Sequence, residues 1–95
     1  MSNYIEQVRA DLAKRIDVET ELLDLYTLLV FTRGTQTTWE DVHDAWAVWR
    51  NQTQPEHQSI APFETLSKRV QEMDKEYADA IKATAMEVNP RNITF

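Results

Sequence analysis

"TTWEDVHDAWAVWR", residues 37–50, holds all three tryptophans of the chain and one of its two histidines. Trp39, Val42, Trp46 and Trp49 recur at steps of three, four and three, so they share one stripe of an α-helix, with Ala45 beside them. Thr37 or Thr38 is placed to cap that helix, and Thr37-x-x-Glu40 has the spacing of a capping box. Such spacing is that of a core-facing stripe. It predicts that the indoles are buried against a second helix.

That second helix is supplied by "DVETELLDLYTLLVFTRG", residues 17–34. Asp17 is a candidate cap, Glu19 and Glu21 suit the positive end of the helix dipole, and Arg33 suits the negative end. Gly34 stands where a left-handed stop is expected. Leucine, tyrosine, valine and phenylalanine from Leu22 to Phe31 take up most of the circumference, which predicts a central helix covered on several sides.

Outward from this pair, Asn3 can cap a first helix, with Glu6 at the reciprocal capping-box position. Ile5, Val8 and Leu12 give it one apolar stripe as far as Lys14 or Arg15. After the third helix, residues 51–62 form a polar connection containing Pro55 and Pro62. "APFETLS", residues 61–67, predicts a short turn that tucks Phe63 and Leu66 into the core. Ser67 can cap a last helix whose continuous stripe is Val70, Met73, Tyr77, Ile81 and Ala85, ended by Pro90. No segment alternates as a strand does. The expectation is an all-α, compact four-helix domain over residues 1–88, with a short polar loop before the last helix and a C-terminal tail, 89–95. Val88, Ile93 and Phe95 make that end apolar, suited to docking on its own domain or on another chain.

Composition narrows the function. A chain of 95 residues fits one domain. Its 42% hydrophobic and 27% charged residues are ordinary for a globular fold. One glycine and three prolines leave little for hairpins. The net charge of −6 and the scattered basic residues argue against nucleic acid. No cysteine is present, so disulfides and thiolate metal sites are excluded, and a reducing cytoplasm fits. The charged N-terminal stretch is unlike a signal peptide, and no apolar run approaches the roughly 20 residues of a membrane span. A soluble, cytoplasmic protein is expected.

Catalytic constellations are lacking. Glu40-x-x-His43 has the helical spacing of carboxylate-bridged metal sites, but it has no second copy, and His57 has no matching glutamate. Ser59 and Ser67 lie in no nucleophile elbow, and a single glycine cannot build a phosphate cradle. Asn92-Ile93-Thr94 matches a glycosylation acceptor by chance. No enzyme, no metal and no cofactor are expected.

"VHDAWAVWR", residues 42–50, followed by "PEHQSIAPFETLSKRVQEMDKEY", residues 55–77, resembles the ryanodine-receptor repeat, or RyR domain. The likeness consists of His43 and Trp46 on a helix, a loop carrying His57, then Pro62-Phe63, Leu66, Gln71 and Asp74, and spans about residues 40–83. The Gly-Trp-x-Tyr-Gly element of that family is missing from "NQTQPEHQ", and His57-Gln58 replaces its His-Pro. The chain, including "LLDLYTLL" and "EDVHDAWAVWRN", is also similar to small proteins encoded by phages of actinobacteria.

Two functions follow as expectations. The first is an interaction module by which a phage-encoded protein binds and modulates a host protein, in keeping with an acidic surface and an apolar tail. The second, which the RyR resemblance implies, is a binder of a nucleotide-derived small molecule. Its candidate site residues are His43, Trp46, Trp49, Arg50 and His57: indoles to stack on a base, and Arg50 and His57 to meet phosphate or ribose. That site requires these side chains to line a common concavity.

Overall fold

The computed structural model describes residues 3–88, which form an all-α domain of four helical rods. Helices α1 (Tyr4–Ala13), α2 (Thr20–Thr32) and α3 (Trp39–Asn51) are continuous, and the fourth rod is divided into α4 (Lys68–Glu72) and α5 (Lys75–Val88). Among the described residues there is no strand, and no helix is long and apolar enough to cross a membrane. Expectations for the tail and for Asn92-Ile93-Thr94 fall outside the described residues.

Asn3 caps α1, its Oδ1 accepting the Glu6 N–H at 2.9 Å; Glu6 returns no reciprocal bond. α2 starts two residues later than the sequence suggested. Glu19, not Asp17, is its N-cap residue, and no side chain caps it. The capping box of α3 is likewise shifted by one. Thr38 Oγ1 accepts the Asp41 N–H at 3.0 Å, and Asp41 Oδ2 accepts the Thr38 N–H at 2.9 Å. Thr37 is buried instead, its hydroxyl donating to Gly34 O at 2.7 Å. Burial opposes ionisation of Asp41, but hydrogen bonds from Thr38 and Arg33 outweigh it and hold the carboxyl below its usual range.

Gly34 ends α2 in the left-handed region, with φ of 54°. A Cβ there would meet Ala85 Cβ at 3.8 Å, an ordinary contact. Backbone conformation, not space, selects glycine at this turn.

α2 packs against α1, α3 and α5. Its Leu22, Leu23, Tyr26 and Val30 meet Val8 and Leu12 of α1, Val42 of α3, and Ala78, Ile81 and Ala85 of α5 in one core. Thr84 is fully buried among them; its hydroxyl donates to Ala80 O and accepts from Arg15. The small residues of α5 let its backbone come close to α2.

Three expectations are corrected. Trp39, Trp46 and Trp49 are only half-buried, packed on the edge of the core while Val42 beneath them is sealed. Phe63 and Leu66 are half-buried too, and Phe63 meets the His43 ring at 6.0 Å rather than the central core. The last apolar stripe is not continuous. Met73 and Asp74 close a tight turn, their N–H groups donating to Val70 O and Gln71 O, and Met73 is 67% exposed. No glycine or proline imposes this break. It re-aims the chain so that α4 meets α3 while α5 enters the core.

Candidate ligand pocket

One face of α3 carries the chemistry. His43, Trp46 and Arg50 follow at steps of three and four, and Trp49 lies next to Arg50. The chain after α3 folds back along this face in successive turns, with Gln54 N–H donating to Arg50 O, His57 N–H to Gln54 O and Ile60 N–H to His57 O. Thus His57 is brought against Trp46, edge to face, with ring centroids 5.1 Å apart. Gln71 Nε2 of α4 donates to Phe63 O at 2.9 Å and ties the returning loop to the fourth rod.

His43 lies at the centre of these connections. It is 3% exposed and stacked on Trp46 at 5.9 Å. Its Nε2 is 2.8 Å from Ala61 O. A carbonyl oxygen only accepts, so Nε2 carries the hydrogen and Nδ1 faces the other way. Nδ1 is 4.0 Å from Asp74 Oδ2, and both side chains are largely shielded from solvent. Burial pushes the Asp74 carboxyl up to about 6, against the attraction of His43.

Between α3, the start of α2 and the α4–α5 bend is a cleft of about 860 Å³. Leu22, Tyr26 and Val70 line its apolar side, and Tyr77 stands 5.6 Å from Tyr26. Burial raises the pKa of both phenols, so they remain neutral donors. Trp46, Trp49, Arg50, His43, His57 and Asp74 supply the rest of the wall, and Asp17, Glu19 and Glu76 are exposed acids among the lining residues. Arg50 lies over the Trp49 ring, its Cζ 4.4 Å from the centroid. Its Nε is buried without a hydrogen-bond partner. Among the described residues, the other half-buried arginines, Arg9 and Arg15, each hold a carboxylate.

All five residues singled out in the sequence, His43, Trp46, Trp49, Arg50 and His57, therefore line one cleft. Asp74, Tyr26, Tyr77 and the segment 17–20 were missed. The signal for Asp74 was present: it stands four residues after Val70 and three before Tyr77, a carboxylate on an otherwise apolar stripe. Nothing local marked segment 17–20, which was assigned to a helix start.

Chemically, the cleft offers aromatic faces, one cation and one shielded carboxylate. His57 Nδ1 accepts the backbone N–H of Ser59 at 3.0 Å, so this ring nitrogen is engaged by the main chain and is no base for the Ser59 hydroxyl. Among the described residues, no three histidine, aspartate or glutamate side chains converge as metal ligands. No curated protein and no solved structure matches the chain. Residues 1–86 match the family described as "Domain of unknown function (DUF7701)", and the chain belongs to that family.

Proposed function

We propose that this protein is a non-enzymatic binding module whose cleft takes a small aromatic ligand derived from a nucleotide. The observation that carries this reading is the convergence of Trp46, Trp49, Arg50, His43 and His57 on one concavity of about 860 Å³. That volume lies within the range of small-molecule sites, and the mix of aromatic walls with a few polar groups is their usual composition. Arg50 adds a specific argument. A guanidinium laid on an indole, with a buried N–H left unpaired, has lost hydration without gaining a protein acceptor. A ligand oxygen would meet the terminal N–H groups of that guanidinium, which hold no carboxylate among the described residues. The likeness of residues 40–83 to the RyR domain points the same way.

Thermal unfolding against a panel of nucleosides, nucleotides and cyclic dinucleotides tests the reading. A ligand at a hundred times its Kd stabilises the native state by about 2.7 kcal/mol. The expected result is a raised midpoint with at least one compound, lost in Arg50→Ala. A flat response across the panel rejects the site.

A second reading, an interaction module of a phage-encoded protein acting on a host protein, has its own support. Leu28 is 54% exposed, and with Ile5 and Phe31 it lines a shallow groove between α1 and α2 that shares no residue with the cleft. Capture of the same host protein by wild type but not by Leu28→Asp supports it; identical recoveries reject it.

A further inference from the structure

We infer that the ligand of this cleft is a planar heterocycle that offers a pair of N–H donors to Asp74 and carries at most one anionic group, held by Arg50. Guanine-type bases and aromatic amidines have this chemistry, and polyphosphates do not. The inference rests on the cleft being a ligand site and names the class of molecule that fits it.

Asp74 is the first support. An ionised carboxylate only accepts hydrogen bonds, and a shielded one needs donors. His43 Nδ1 is 4.0 Å away, beyond hydrogen-bond distance, and the phenols of Tyr26 and Tyr77 are near enough to feel its charge but make no hydrogen bond to it. His43 Nε2 is committed to Ala61 O, and its Nδ1 stays beyond hydrogen-bond distance of the carboxylate. Among the described residues no hydrogen bond is made to either Asp74 oxygen, and the residue lines the cleft. A ring N–H beside an exocyclic amino group satisfies both oxygens at once, as does an amidine. An adenine edge, which alternates donor and acceptor, sets one lone pair against the carboxylate.

Charge is the second support. Four carboxylates line the cleft, Asp17, Glu19, Asp74 and Glu76, against the single guanidinium of Arg50. Such a lining repels a polyanion and attracts a neutral or zwitterionic ligand. Arg50 has capacity for one phosphate or carboxylate through its terminal N–H groups, which hold no carboxylate among the described residues. Trp46, Trp49 and Tyr77 provide the stacking faces that a planar ring requires.

Calorimetry and tryptophan fluorescence on the full chain, with guanosine, adenosine, guanosine monophosphate, guanosine triphosphate and benzamidine, test this directly. Guanosine should bind at least about tenfold more tightly than adenosine, since an unmatched polar edge is penalised. Guanosine monophosphate should bind more tightly than the triphosphate, with a gap that narrows as salt rises. Asp74→Asn, whose amide both donates and accepts, should remove or reverse the preference for guanosine while its unfolding midpoint is kept or raised. Equal binding of the two nucleosides, or tighter binding of the triphosphate, overturns the inference and leaves the cleft as a ligand site. Binding by none of the five overturns the inference, and a flat response in the wider thermal panel rejects the site as well.

Discussion

Asp74 Oδ2 and His43 Nδ1 face each other at 4.0 Å across the seam between the bend of the fourth rod and α3. Neither residue belongs to the apolar core, yet both are shielded from water, and the pair joins three segments through Ala61 O, α3 and the α4–α5 turn. A half-matched polar pair of this kind costs stability, which is a common property of sites adapted to bind something else.

The pH dependence of folding follows from that pair. The folded Asp74 carboxyl titrates at about 6 because of burial, whereas an unfolded aspartate titrates at about 3.9. The native state therefore holds this proton more tightly, and the contribution of Asp74 to stability falls as pH rises from about 4 to about 6. Asp74→Asn should gain on wild type over this window by on the order of 2–3 kcal/mol. Urea titrations of both proteins at pH about 4 and about 7.5 measure the difference; a pH-independent gap contradicts it.

Arg50 and His57 should separate binding from folding. Both are half-buried in the cleft wall, and neither contributes to the central core. Arg50→Ala and His57→Ala should each shift unfolding by less than about 1 kcal/mol while weakening any ligand that binds wild type. Parallel melts and titrations provide the check.

Core and wall residues should differ in what they contribute. Ile81 is fully buried between α5 and its neighbours, so Ile81→Ala should cost about 3–4 kcal/mol, enough to unfold much of so small a domain. Trp49→Ala, at the half-buried edge, should cost less than Ile81→Ala. Acrylamide should reach part of the tryptophan fluorescence in the folded state, and ligand should shield it.

Two local substitutions test the ends of the loop before α3. Gly34→Ala forces a Cβ into φ of 54° and should cost about 1 kcal/mol. Thr38→Ala removes one half of the capping box and should cost a similar amount, about 1 kcal/mol. Denaturant midpoints read both.

What the sequence determined by itself is local and periodic. The helix count, the cap at Asn3, the stop at Gly34, the cap at Ser67 and the shared stripe of Trp39, Val42, Trp46 and Trp49 all follow from spacing and side-chain chemistry within one or two turns. His43, Trp46 and Arg50 were legible as one helix face for the same reason. Periodicity says which residues share a face; it cannot say how closely the opposite face approaches. Only the tertiary structure decided that the indoles stay half open, that residues 17–19 form part of the cleft wall instead of a helix turn, and that the fourth rod bends at Met73 and Asp74. A cleft is the space where packed elements fail to meet, and that space depends on crossing angles and loop paths set by the whole core at once.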